Sequence, residues 1–270
     1  MNQQFEELKS QSTRQVRAQI RACAYAGHTA GLGKDNLQAN LAILPAAHAL
    51  DFMRFCQRNP KPCPLVGVSD TGVPQMTTLG RDIDIRTDLP AYYVYRDGVL
   101  VDAPQDITDL WQDDFVAFAL GCSFTFEHAL ERAGIKLWHI ANNTTVPMFA
   151  SNIPTVSAGP FGGATVVSMR AIPDHQVAET IEISNRFPMA HGGPLHVGDP
   201  AQIGIADLDR PDWGDRAPVP EGTTPVFWAC GVTPQVAIMR AGLPICITHK
   251  PGAMLITDVA DDAETTILRP

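Results

Sequence analysis

Glycine and proline interrupt this chain so often that we expect many turns between its helices and strands. There are 21 glycines and 22 prolines among 270 residues, and neither residue type continues a helix or a central strand well. Hydrophobic residues make up 45% of the chain and charged residues 18%. This composition supports a full core and argues against disorder, so we expect one large domain or two subdomains. No repeat of fixed period is visible, which argues against solenoids and propellers.

The charge balance constrains the partners of the chain. Its formal net charge is −9, whereas binding to nucleic acid or to anionic lipid needs a basic surface. We therefore expect no nucleic-acid partner, and no apolar run reaches the roughly 20 residues of a membrane span. A few arginines could still bind a small acidic metabolite, because a guanidinium matches a carboxylate. The six cysteines form no CxxC pair, which predicts reduced thiols and a cytoplasmic location.

Local patterns in the first hundred residues predict helices, strands and one hairpin. Pro45 is expected to open a helix that runs to about residue 58, and its predicted buried face consists of Leu50, Phe52 and Met53. The apolar run at 65–68 predicts a buried strand. Residues 91–102 predict a hairpin that turns at Asp97-Gly98, because this dipeptide favours a tight turn.

The longest helical pattern covers residues 108–133. Acidic residues lie in its first turns, and Gly134 follows it, which suits the helix dipole. Gly121 interrupts the pattern, so a second short helix could begin at Cys122 and Ser123.

The last third predicts a parallel βαβ unit. Residues 226–230 and 243–248 form apolar strands around a helix that begins near Thr233 and stops at Gly242. The expected fold class is therefore mixed α/β. We expect residues 1–85 to pack with 186–270 as a three-layer α/β/α unit, and residues 86–185 to form a smaller, inserted two-layer α+β subdomain.

Two glycine-containing segments combine reactive side chains. In the segment 121–127, Ser123 could cap a helix whose N-terminus binds an anion, and Glu127 lies one turn further on. In the segment 186–200, His191, His196 and Asp199 lie close in sequence. These three could hold a divalent metal, or the histidines could contact substrate. Each of these groups could equally have a purely structural role.

A third segment surrounds Cys230, at the end of a predicted strand. A helix N-terminus beside it, at Thr233, would lower the pKa of its thiol. The alternative is a buried structural cysteine, which is the commoner fate of this residue type. A fourth segment at 249–254 begins with His249 and ends the next predicted strand.

Six segments together resemble the hydro-lyase family related to D-glutamate cyclase, in the same order over about residues 10–260. They are NPKPCP at 59–64, DIDIRTDLP at 82–90, GCSFTFE at 121–127, GPFGG at 159–163, HGGPLHVGDP at 191–200 and FWACGVTPQ at 227–235. The resemblance implies a carbon–oxygen lyase, and in its best-understood relatives the reaction is loss of water from D-glutamate to give 5-oxo-D-proline. The chain departs from the family pattern at Ala171, where the pattern has Pro, and at Ala253, where it has His.

The chemistry implied by this resemblance assigns candidate roles. Cyclisation needs a base for the amine, donors for the γ-carboxylate and an anchor for the α-carboxylate. The candidate catalytic residues are Glu127, His191, His196 and Cys230, and the candidate substrate-binding residues are Ser123, Arg170, Arg186 and Thr233. No cofactor is specified, and a homo-oligomer is an open alternative. The rival hypotheses are a non-catalytic protein that binds a carboxylate metabolite, and a metal-dependent hydro-lyase that uses His191, His196 and Asp199.

Overall fold

A computed structural model describes residues 2–263, with side chains from residue 4 onward. The helices are α1 (Asn2–Lys9), α2 (Thr13–Arg21), α3 (Ala46–Arg58), α4 (Phe124–Arg132), α5 (Trp138–Asn142), α6 (Val177–Asn185) and α7 (Val232–Ala241). Short 3-10 helices cover Thr108–Leu110, Asp174–Gln176, Pro188–Ala190 and Pro200–Ile203. The strands are β1 (Asn36–Pro45), β2 (Leu65–Val68), β3 (Tyr92–Arg96), β4 (Val99–Asp102), β5 (Phe115–Gly121), β6 (Met148–Pro154), β7 (Ala164–Pro173), β8 (His196–Val197), β9 (Thr223–Ala229), β10 (Cys246–His249) and β11 (Leu255–Ala260).

The strands form two antiparallel sheets, and with the helices they confirm the mixed α/β class. The larger sheet has the order β2-β5-β1-β10-β3-β4, with β11 also paired to β1. The smaller sheet has the order β6-β7-β9-β8. Within residues 2–263, no helix is long and apolar enough to cross a bilayer.

Two helices connect the sheets and lie where the site is found. α4 follows β5 of the larger sheet but packs its Phe126 and Leu130 with Trp228 of the smaller sheet. Conversely, α7 follows β9 of the smaller sheet and packs Ile238 in the core with Phe118 of the larger sheet. The starts of both helices therefore lie between the two sheets.

The predicted parallel βαβ unit is wrong. β9 belongs to the smaller sheet and β10 to the larger, so α7 links two sheets instead of two neighbouring strands. A short helix between two apolar runs satisfies the local pattern of a crossover in either arrangement, and only long-range pairing separates them. The predicted bounds of α7 are nearly correct. Gly242 adopts a left-handed conformation and ends the helix as predicted, whereas Gly231 takes the N-cap position expected for Thr233.

The predicted helix over 108–133 is also wrong in its first half. Residues 115–121 form β5, which lies between β1 and β2 and is buried along its whole length. A strand buried on both faces is a continuous apolar run, which helical periodicity cannot distinguish from a buried helix. The break at Gly121 is confirmed, because α4 begins at Phe124.

Two residues of the predicted buried face of α3 are exposed instead. In α3 the buried residues are Phe52, Phe55 and Cys56, whereas Leu50 is 59% exposed and Met53 is 39% exposed. The hairpin at Asp97-Gly98 is confirmed as β3 and β4.

Each sheet combines strands from both predicted subdomains. β3, β4 and β5, all within 86–185, pair into the larger sheet, whereas β8 and β9, within 186–270, belong to the smaller one. The division into subdomains and the three-layer packing stay predictions, and Met1 and residues 264–270 of that division lie outside the described residues.

Candidate functional site

A small pocket lies at the starts of α4 and α7. Its walls come from β1, from the start of β6 and the end of β10, and from nearby loops and helix starts. The lining residues are Asn40, Cys122, Ser123, Phe124, Thr145, Val146, Met148, His191, Cys230, Gly231, Val232, His249, Pro251, Gly252 and Met254. Four of the segments singled out in the sequence, at 121–127, 191–200, 227–235 and 249–254, thus contribute to one pocket.

Glycines allow these segments to approach one another closely. A Cβ atom on Gly121 would overlap the carbonyl oxygen of Met189, two residues before His191. A Cβ atom on Gly231 would overlap the side-chain amide of Asn40. The first contact brings the loop of His191 to the end of β5, and the second brings α7 to β1. Both glycines are therefore required by tertiary packing.

Arg170, on β7, is buried beside the start of α4 and donates hydrogen bonds from all three of its guanidinium nitrogens. Its Nε lies 3.0 Å from Glu127 Oε1, Nη1 lies 3.0 Å from Ser168 Oγ, and Nη2 lies 2.9 Å from Ser123 Oγ. Nη2 also donates to Glu127 Oε1. The guanidinium carbon lies 5.2 Å from the centre of the Trp228 ring. Such contacts fix a buried cation in one position.

Glu127 is fully buried between two basic groups. His139 Nε2 lies 3.0 Å from Oε1, the atom that also accepts from Arg170. Burial raises the pKa of this carboxyl, but the attraction of His139 and Arg170 exceeds that effect and lowers the pKa to about 2. Glu127 is therefore ionised at neutral pH. Its second oxygen, Oε2, is buried without a hydrogen-bond partner among residues 4–263.

His191 lines the pocket as a neutral imidazole. It is buried, its φ is +76°, and its Nδ1 lies 2.7 Å from the carbonyl oxygen of Lys61. Burial lowers its pKa to about 4, although the bond to Lys61 opposes this shift. A carbonyl can only accept, so Nδ1 carries the proton and Nε2 keeps the free electron pair.

His249 is a second neutral imidazole in the same pocket. Burial lowers its pKa to about 4. Its Nδ1 lies 3.1 Å from the backbone nitrogen of Leu41, and Gln235 Nε2 lies 3.1 Å from its Nε2. The sequence places this histidine at the end of a predicted strand but indicates no role for it. Its partners lie on β1 and α7, so no local pattern could have identified it.

The thiol of Cys230 does not have the lowered pKa expected from the sequence. Cys230 lies with its Sγ 3.4 Å from Met148 Sδ, and burial raises the pKa of its thiol to about 11. Burial likewise raises the pKa of Cys122 to about 12. The loss of hydration exceeds the effect of the neighbouring helix start, so both residues are thiols at neutral pH.

Five predicted site residues lie outside the pocket lining: Glu127 and Arg170, which form the buried pair described above, and three others. His196 Nε2 lies 2.7 Å from the carbonyl oxygen of Asp199. Arg186 is exposed and lies 2.9 Å from Glu182 on the surface of α6. Thr233 lies at the start of α7, but its Oγ1 is turned to the backbone of Val166, 3.0 Å from that nitrogen.

The metal-site hypothesis based on His191, His196 and Asp199 does not match these positions. The carboxylate of Asp199 caps a 3-10 helix by accepting from Ala201 N–H at 3.0 Å. In the part of the chain that the structure describes, no three His, Cys, Asp or Glu side chains are grouped to hold a metal.

Several residues around the site were not identified from the sequence. Ser168 and His139 bind the Arg170–Glu127 pair, and Asn40 donates to the carbonyl oxygens of Leu120 and Gly121 at 3.1 and 2.9 Å. Each is a single polar residue within an apolar or loop segment. Polar residues in a mainly apolar strand, such as Asn40 on β1, are the only signal that could have indicated them.

Comparison with known proteins identifies one family. The family model described as D-glutamate cyclase matches residues 116–258. A protein of Dinoroseobacter shibae named "Putative hydro-lyase" is 70% identical over 266 residues, which cover 98% of this chain and 89% of that protein. Relatives of the same name from Ruegeria pomeroyi and Bordetella pertussis are 66% and 54% identical, cover 98% and 91% of this chain, and are themselves covered to 96% and 88%.

Among solved structures, the crystal structure of a nitrogen repressor-like protein from Methanococcus jannaschii aligns with a TM-score of 0.40 and 10% identity. The alignment covers 95% of this chain and 99% of that one. We draw no conclusion about fold or function from a likeness at this level.

Proposed function

The chain belongs to the D-glutamate cyclase family, and on this premise we propose that it converts D-glutamate to 5-oxo-D-proline and water in the pocket at the starts of α4 and α7. Membership of this family makes the chain an enzyme and sets aside the alternative of a non-catalytic binding protein. The hydro-lyase class follows from the names of its relatives, and the identity of the substrate is the proposal.

The proton inventory of this reaction defines what the protein must supply. The ammonium nitrogen of glutamate loses two protons when it forms the lactam bond to the γ-carbon. The departing γ-carboxylate oxygen gains two protons and leaves as water. No net proton is consumed, so the enzyme needs a group that accepts a proton from nitrogen and returns it to oxygen.

His191 is the group that carries this proposal. It is a neutral imidazole in the pocket, and its Nε2 has a free electron pair because Nδ1 is bonded to Lys61. A base that is uncharged at neutral pH can accept the amine proton without first losing one of its own. Once protonated in a buried site it is a stronger acid than a histidine in water, since burial disfavours its charged form, and it returns the proton to the departing oxygen.

The starts of α4 and α7 would stabilise the charge on the carboxylate under attack. The positive end of a helix dipole attracts anions, and both helix starts line the pocket. Arg170 acts behind this surface through Ser123, whose oxygen accepts from its Nη2. Glu127 is ionised and outside the pocket lining, so its role in this proposal is to position Arg170. Cys230 contributes a neutral thiol to the wall, and Arg186 and His196 receive no role.

The test is a comparison of two histidine variants with D-glutamate as substrate. His191→Asn removes the base, and asparagine tolerates the positive φ at this position. The turnover number should fall about 10²–10⁴-fold, because this is the usual cost of losing a general acid–base group. His175→Asn serves as the control, since His175 is exposed on a 3-10 helix outside the pocket. Formation of 5-oxoproline is followed by NMR, with L-glutamate in parallel.

Two results would contradict the proposal. Unchanged turnover in folded His191→Asn would remove His191 from the mechanism. Failure of the unmodified protein to form 5-oxoproline from D-glutamate would exclude this substrate.

A further inference from the structure

His191 lies on a loop whose backbone is strained. Its φ is +76°, and the φ of the next residue, Gly192, is +64°. Glycine adopts this left-handed conformation freely, whereas a histidine there costs free energy and persists only where its surroundings fix it. The backbone N–H groups of Ala190 and Gly192 donate to the carbonyl oxygen of Phe187 at 2.9 Å, but these bonds lie within the loop itself. The loop therefore needs contacts from another part of the chain.

Lys61 supplies these contacts with both its main chain and its side chain. Its carbonyl oxygen lies 2.7 Å from His191 Nδ1. Its ammonium donates to the carbonyl oxygen of Gly193 and lies 3.5 Å from the carbonyl oxygen of Pro194. Within residues 4–263, no other residue from outside this loop makes a hydrogen bond to residues 191–194. Lys61 therefore holds the part of the loop that carries the strained histidine.

The motif segment NPKPCP at 59–64 gives Lys61 a fixed place in the fold. Asn59 Nδ2 donates to the carbonyl oxygen of Val156 at 2.8 Å, and Asn59 Oδ1 accepts from the N–H of Val156 at 2.8 Å. Lys61 itself lies between two prolines, which restrict the backbone conformations open to the segment. The segment therefore offers the loop of His191 a rigid point of attachment.

Lys61 also places a positive charge near His191. Within residues 4–263, its ammonium contacts carbonyl oxygens and no carboxylate. Arg170 is a second cation that acts on His191, and its charge is opposed by that of Glu127. Burial is the largest cause of the lowered pKa of His191, and both cations add to it because they oppose protonation of the imidazole. The other titratable groups that line the pocket are neutral at neutral pH, namely Cys122, Cys230 and His249.

We propose that Lys61 is a positioning residue for the reaction. Its carbonyl oxygen on His191 and its ammonium on Gly193, together called the Lys61 clamp, hold the strained loop in place. His191 thereby keeps its proton on Nδ1 and a free electron pair on Nε2. Lys61 does not line the pocket, so it acts through His191 and not on the substrate. This inference rests on the proposed function only for the role of His191 as the base.

The first experiment observes the His191 ring directly by nitrogen NMR, with its signals assigned through His191→Asn. Lys61→Met removes the ammonium and keeps the main-chain carbonyl, whereas Lys61→Arg keeps a charged donor. In the unmodified protein we expect the Nδ1–H form of His191 at pH 7.5. In Lys61→Met we expect the Nε2–H form as well, and a rise of about one unit in the pKa of His191, because a positive charge is lost and the loop becomes more hydrated. Lys136→Met, at an exposed lysine outside the pocket lining, should change neither.

The second experiment compares the same variants as enzymes with D-glutamate. Lys61→Met should lower kcat about 10- to 100-fold, because a small displacement of a catalytic group has a cost of this size. KM should change less than kcat, since Lys61 does not line the pocket. The acidic limb of the kcat/KM profile should move to higher pH by the same interval as the NMR titration of His191. Lys61→Arg should restore most of kcat, because it keeps a charged donor.

The NMR measurement needs no turnover, so it separates the Lys61 clamp from the proposed reaction. A folded Lys61→Met protein whose His191 keeps its tautomer and its pKa would overturn the clamp, whatever its turnover. If Lys61→Met does not fold, Lys61→Gln, which also removes the charge, is measured in the same way. A changed His191 ring in the variant, with no turnover of D-glutamate by the unmodified protein, would support the clamp and refute the proposed substrate. Turnover by the unmodified protein, with an unchanged ring in the variant, would refute the clamp and leave the reaction in place.

Discussion

Replacing Glu127 by glutamine should destabilise the fold by about 3–5 kcal/mol. The substitution keeps the shape of the side chain and removes its charge, which leaves Arg170 buried without a counter-charge. Breaking a buried ion pair from one side has this cost, because the remaining charge stays out of water. The lowered pKa of Glu127 leads to a similar magnitude. A fall from 4.5 to about 2 corresponds to about 3 kcal/mol of stability at neutral pH.

The sign of this contribution defines its pH range. The carboxyl has a lower pKa in the folded chain than in the unfolded chain, so its contribution is present above about pH 4.5 and is lost as pH falls toward 2. The free energy of unfolding should therefore be measured at pH 7, by urea denaturation followed by tryptophan fluorescence and circular dichroism.

The matched control is Glu182→Gln. Glu182 also pairs with an arginine, Arg186, at 2.9 Å, but the two side chains are 75% and 64% exposed. An exposed helical pair contributes about 0.5 kcal/mol or less. If Glu127→Gln costs no more than this control, then the Arg170–Glu127 pair is not the buried, mutually dependent pair described above.

Two further predictions concern the titratable groups of the pocket. His191 and His249 have lower pKa values in the folded chain than in the unfolded chain. Each should therefore lower the free energy of unfolding as pH falls from about 6.5 to about 4, by about 1.4 kcal/mol per pH unit. Urea midpoints measured across this range should show the loss, and asparagine at either position should halve the slope; a slope that both variants leave intact would contradict this. Iodoacetamide at pH 7.5 should label exposed Cys23 well before Cys122 and Cys230, whose thiols have raised pKa values. Early labelling of either pocket thiol, mapped by mass spectrometry, would show a thiolate there.

The sequence by itself determined the features that depend on near neighbours in the chain. Asp97-Gly98 indicated the hairpin and Gly242 the end of α7, because turn residues act through their own backbone angles. The six motif segments identified the family, which the match at 116–258 confirms. They also contained seven of the fifteen residues that line the pocket, including Ser123, His191 and Cys230.

Tertiary structure decided everything that depends on distant partners. The sequence pattern at 115–121 predicts a helix, but these residues form a strand between β1 and β2. A run buried on both faces has no period that distinguishes a strand from a helix. The ionised state of Glu127 comes from Arg170 and His139, and no local pattern reports burial or a partner so far along the chain. The pKa of the Cys230 thiol is raised instead of lowered for the same reason. Burial of this side chain is set by the whole fold, and its effect on the pKa exceeds that of the adjacent helix start.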